Sequence, residues 1–149
     1  MTTDTSETPR WFALPLLGLG MLGFVSAWVL AALFFERQCA WLAPLAAVDM
    51  VLLLAIARWP AGTGRAAWAA LATAVAIAMA NFGIAAGELG QSFGLRPWES
   101  ALMLGPDLAW TLLEMANSPL DIAWYILGIA VSLGAGMRNW RALKGHRPT

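Results

Sequence analysis

Asp49 is the residue in this sequence whose position most invites chemistry. It stands near the middle of an apolar run, Trp41 to Ala57, that holds no other charge. A carboxylate at mid-membrane depth costs about 2.5–3.5 kcal/mol on insertion scales, so such a group is a functional candidate by default. No Lys or Arg lies inside any apolar run to neutralise it. Counting inward from the ends of the runs puts Asp49 level with Gly20 to Gly23, Thr73 and Gly128. Thr73 is then its expected hydrogen-bond partner. Proton-coupled transport is one reading, and hydrogen-bonded glue between helices is the other.

Asn81 and Glu88 lie seven residues apart and so share a helix face. With Ala85 between them they are expected to line a vestibule. Above it, Asp107, Thr111, Glu114 and Ser118 fall on one acidic face of a short helix. Leu102, Met103, Leu108, Leu112 and Met115 supply apolar surface to the same segment, which suits a helix lying in the interface plane. An acidic face is unlike one recruited by anionic lipid. The segment therefore reads as a cover or a connector.

Many chemistries are excluded. The lone Cys39 makes neither an internal disulfide nor a paired redox site. The lone His146 sits in the basic tail, so no bis-histidine haem and no Ser/His pair with Ser26 or Ser132 can form. Lys144 is equally remote from any serine, no His/Cys cluster has zinc spacing, and no glycine-rich phosphate loop is present. No metal and no cofactor is expected, and catalysis would have to use acids alone.

The elements that position these residues are set by composition. Of 149 residues 60% are hydrophobic and 12% charged, against roughly 45–50% and 25% in ordinary globular chains. Nine basic and nine acidic residues balance, leaving no basic surface for nucleic acid. The charges fall between apolar runs, which points to the bilayer as solvent. The fold expected is an all-α integral membrane protein, a four-transmembrane-helix bundle with spans at about 11–35, 41–57, 66–87 and 121–137. A short amphipathic helical segment, 88–118, joins the third span to the fourth. A polar tail, 1–10, precedes the bundle and a basic tail, 138–149, follows it. The first run is longer than a signal core and lacks a good cleavage site, so it reads as an uncleaved anchor.

An even number of spans puts Arg10, Arg58, Arg65, Arg138, Arg141, Lys144 and Arg147 on one side, and only Arg37 and Arg96 on the other. The positive-inside rule then places both termini in the cytoplasm of a bacterial-type inner membrane. Trp11, Trp59, Trp68 and Trp140 fall near that side, and Trp41, Trp98, Trp110 and Trp124 near the opposite one, as interfacial belts do. Trp28, inside the first span, is the exception.

Small residues recur every fourth position as Gly23–Ala27–Ala31, Ala70–Ala74–Ala78 and Gly128–Ser132–Gly136. Apolar helices in lipid associate where small residues let backbones approach. These stripes fit tight packing within the bundle or a homo-oligomer face. The function expected first is that of a partner-binding, scaffold or accessory membrane subunit. A small proton-coupled transporter or channel using Asp49 is the alternative, and a lipid-handling enzyme at the acidic segment ranks third.

Overall fold

A computed structural model describes residues 12–138. The polar tail 1–10, Trp11, and the basic tail from 139 onward, with Trp140, Lys144 and His146, lie outside the described residues. Six α-helices and no strand are found among the described residues. They are α1 (Ala13–Phe35), α2 (Leu42–Ile56), α3 (Thr63–Phe93), α4 (Pro97–Met103), α5 (Pro106–Ala116) and α6 (Pro119–Met137). Three of them, α1, α3 and α6, are long and apolar enough to cross a membrane, whereas α2 has 15 residues.

Proline and glycine set the boundaries. Pro97, Pro106 and Pro119 each open a helix, where the missing N–H costs nothing. Ser118 and Asp121 cap α6 reciprocally, Ser118 accepting from the Asp121 N–H and Asp121 from the Ser118 N–H. Helix α3 stops at Gly94, whose φ of 65° is the left-handed turn that glycine adopts without steric cost.

The third span is longer than expected, beginning at Thr63 and running six residues past Gly87. Its glycines are contact points and not breaks. A Cβ on Gly83 would lie 2.8 Å from Val29 Cγ2, and one on Gly87 2.7 Å from Leu33 Cδ1, so α1 lies against α3 through both. Gly90 receives Ser100 of α4, whose hydroxyl donates to the Ala86 carbonyl at 2.7 Å.

Helices α2 and α3 form a central pair. Both α1 and α6 touch both of them, on opposite sides, while α4 and α5 rest on the far part of α3. The core between them is largely alanine: Ala43, Ala46, Ala47, Ala69, Ala76 and Ala80 are completely buried. Such short side chains bring backbones together and leave little room for anything else.

The stripe on α6 packs as its spacing implies, with Gly128, Ser132 and Gly136 all buried. The stripes on α1 and α3 do not. Gly23 and Ala27 are exposed, with no atom near an added Cβ at Gly23, and the contact glycine of α1 is Gly20, under Leu53 of α2. On α3 the buried positions along this stretch are Ala69, Ala72, Thr73, Ala76 and Ala80, with Ala78 exposed. A small-residue period marks which faces could approach a neighbour, and an alanine-rich helix has several.

Arg65 closes the end of the bundle where the α2–α3 connection meets the end of α6. It is 5% exposed, and its guanidinium donates to the carbonyls of Gly136 (2.9 Å), Arg138 (2.6 Å) and Ala135 (3.4 Å). Those carbonyls lie at the C-terminus of α6, where a cation also meets the negative end of the helix dipole. Charged hydrogen bonds contribute about 1.5–3 kcal/mol each. Arg65→Gln is therefore expected to lower unfolding free energy in detergent by ~2 kcal/mol, and an unchanged melting curve would exclude the clamp.

Candidate functional site

At the end opposite Arg65, three polar side chains from three helices meet. Asn81 of α3 is 4% exposed, with its amide donating to Ile77 O at 2.9 Å. Asn117, the residue that ends α5, donates to Asn81 Oδ1 at 3.2 Å and to Leu113 O at 2.8 Å. Tyr125 of α6 donates its hydroxyl to Asn117 Oδ1 at 2.8 Å, with Asn81 Oδ1 3.2 Å away. Each amide thus satisfies its own helix and one neighbour, which low dielectric requires of buried polar groups.

Trp28 explains its own exceptional position. It is 1% exposed, and its ring lies 6.5 Å from that of Tyr125, reaching from α1 across the central pair. The indole N–H donates to the Gln38 carbonyl at 3.1 Å, tying α1 to the segment that follows it. Gln38 Oε1 is buried with no hydrogen-bond partner, the only such side-chain atom among the described residues.

A cavity of about 310 Å³ opens beside this cluster. Asn81, Ala85 and Glu88 line one wall, Leu112 and Leu113 of α5 another, and Gln38 a third. The pairing of Asn81 with Glu88 beneath the α5 segment is thus present. A wider cavity of about 770 Å³ lies alongside, sharing Gln38 and Glu88 and bounded by loop 36–41 and Trp124. The proposed acidic face of α5, Asp107, Thr111 and Glu114, is exposed, and the Thr111 hydroxyl donates to Asp107 O. None of the three lines the small cavity, to which α5 contributes Leu112, Leu113, Met115 and Ala116.

Asp49 is half-buried, and no hydrogen bond to it is formed among the described residues. It lines neither of these two cavities. Thr73 is not its partner, because the Thr73 hydroxyl donates to Ala69 O of its own helix at 2.8 Å. Gly128 is not level with it either. A Cβ on Gly128 would lie 2.9 Å from the Ala43 carbonyl, six residues or ~9 Å along α2 from Asp49. Depth counting assumes straight, parallel helices starting at one plane, and these start at different heights.

The candidate residues therefore divide. Asn81 and Glu88 share a cavity, Asp49 stands apart, and Thr73 is a satisfied core residue. Asn117, Tyr125 and Gln38 complete the far-end cluster, though the spacing of residues did not single them out. Tyr125 carried a signal, since a lone tyrosine inside an apolar run needs a partner for its hydroxyl. Among the described residues, no group of three or more His, Cys, Asp or Glu gathers to hold a metal ion. The cluster offers neutral hydrogen-bond donors and acceptors, with no nucleophile–base pair. Comparison with known proteins returns no matching family model, no similar curated protein and no similar solved structure.

Proposed function

We propose that the chain is a four-span protein of the inner membrane, with both termini cytoplasmic, serving as a partner-binding or accessory subunit. Helix α2 is the fourth and shortest crossing. Its 15 residues reach ~22 Å, and a short span is accommodated by local thinning and by its flanking Trp41 and Trp59. Seven basic residues against two support the orientation.

The observation that carries the functional reading is the unpaired Asp49 at the edge of the α1–α2 seam. Leu53 sits on Gly20, so Asp49, one turn along α2, lies on the same face of that helix as the contact. Gly23 and Ala27 continue the matching edge of α1, exposed and unoccupied. A small-residue edge beside a carboxyl lacking a partner suits a further transmembrane helix that brings a hydrogen-bonding group. The simplest such helix belongs to a second copy of the chain. The transport reading finds less support, because Asp49 stands outside the cavities at the far end and the alanine core beneath them is closely packed.

Energy transfer between copies tagged at the C-terminus, in liposomes at high lipid dilution, tests the reading. Wild type should exceed the dilution control, Ala27→Leu should fall to it, and Asp49→Asn should retain most of the signal. The reading fails if wild type shows no transfer and native membranes yield no stoichiometric partner that Ala27→Leu loses.

A further inference from the structure

A third cavity, about 1130 Å³, runs between α2 and α6 at the Arg65 end. Its lining divides sharply by chemistry. Val48, Val51, Ala55, Val131 and Gly134 make an apolar groove, and Arg58, Arg65 and Arg138 supply its charged lining. No carboxylate lines it. Along α2 the groove extends from Val48 to Ala55, seven residues or ~10 Å at the helical rise, and reaches Arg58 just past the helix end.

We propose that this groove binds one anionic phospholipid, its phosphate at the arginines and an acyl chain along α2 and α6. Basic pockets between membrane helices recognise anionic headgroups, and guanidinium forks match phosphate oxygens. Arg65 holds the backbone of α6 with Nε and Nη2, so it contributes a fixed charge. Arg58 is the adjustable one. It is exposed, it forms no ion pair among the described residues, and it projects from a left-handed turn, φ 59°, that ends α2. The apolar length of the groove selects a lipid over a free phosphate ion. The three positive charges select an anionic lipid over a zwitterionic one, whose ammonium they would repel. The inference rests on the membrane placement proposed above and is independent of the α1–α2 partner face.

Thermal unfolding of the full chain in neutral detergent, with phosphatidylglycerol, phosphatidylcholine or glycerol phosphate added, separates the sources. Phosphatidylglycerol should raise the melting temperature saturably, and the other two should not. Arg58→Asn keeps a residue that tolerates the left-handed turn and should raise the half-saturating lipid concentration about fivefold, the loss of one interfacial charge. Gly134→Leu meets open space, since no atom lies within 4 Å of an added Cβ, and should fill the groove and abolish the shift. Equal shifts with phosphatidylcholine would overturn the proposal, as would an equal effect of glycerol phosphate or a wild-type response from both variants. Should Gly134→Leu fail to fold, the Arg58→Asn titration decides alone. Failure here with intact energy transfer between copies would leave the partner reading standing.

Discussion

Replacing Gly136 by alanine should destabilise the protein more than any other single methyl added to its helices. The new Cβ would fall 2.5 Å from Ala66 Cα and 2.9 Å from Ala66 N. Both are backbone atoms, so no rotamer change relieves the clash. The end of α6 must move away from the start of α3, and Arg65 then loses its grip on the Gly136 carbonyl. Overpacking of this kind costs about 1–3 kcal/mol, and strained charged hydrogen bonds carry the expected loss to the upper part of that range. Gly128→Ala should cost somewhat less, its Cβ meeting the Ala43 carbonyl at 2.9 Å. Gly134 supplies the control on the same helix. Its Cβ meets nothing, and alanine exceeds glycine as a helix former by ~1 kcal/mol, so Gly134→Ala should be neutral or slightly stabilising. Thermal unfolding of the three variants checks the order, and equal losses would show that close approach at Gly136 is unimportant.

Asn81→Leu should have the next largest effect. Leucine fills the volume but removes the acceptor for Asn117 and the nearby oxygen of Tyr125. Leaving a buried polar group unpaired costs ~1–3 kcal/mol, yet polar pairs between membrane helices average only ~0.6 kcal/mol in double-mutant cycles. The smaller figure applies to each pair, because Asn117 and Tyr125 retain each other. The expected total is ~1–2 kcal/mol. A cycle with Tyr125→Phe should be non-additive by at least ~0.5 kcal/mol. Additivity would mean that Asn81 and Tyr125 act separately.

Much of the scaffold could be read directly, because its signals are local. Pro97, Pro106 and Pro119 cannot sit inside a helix without penalty, and all three are found opening one. Helix α2, expected over 41–57, is observed as Leu42–Ile56. The end of α3 escaped because Gly87 and Gly90 have two meanings, breaker or contact, and only the neighbours Leu33 and Ser100 decide between them. The same limit governs the site. Asn81 and Glu88 are related by one helix's own geometry, so their shared wall follows from spacing. Asn117 and Tyr125 reach Asn81 from other helices, 36 and 44 residues away in sequence. Depth pairs Asp49 with Thr73 but says nothing of azimuth. Only the Gly20–Leu53 contact reveals which way that side of α2 faces.

The distribution of polar ties gives the four long helices unequal mechanical freedom. Helix α6 is pinned to α3 by Arg65 at one end and joined to Asn81 through Tyr125 at the other, so it cannot slide like a piston. Among the described residues helix α1 has no hydrogen bond to α2, α3 or α6; its side-chain tie runs from Trp28 to the loop just after it. Its close approaches to the other helices, Leu53 on Gly20 and Val29 and Leu33 on Gly83 and Gly87, are apolar. A bilayer that thickens or thins would be met by tilting α1 over a stiff α2–α3–α6 unit. The seam beside Asp49, between the compliant helix and that unit, would then widen or narrow with the thickness of the surrounding lipid.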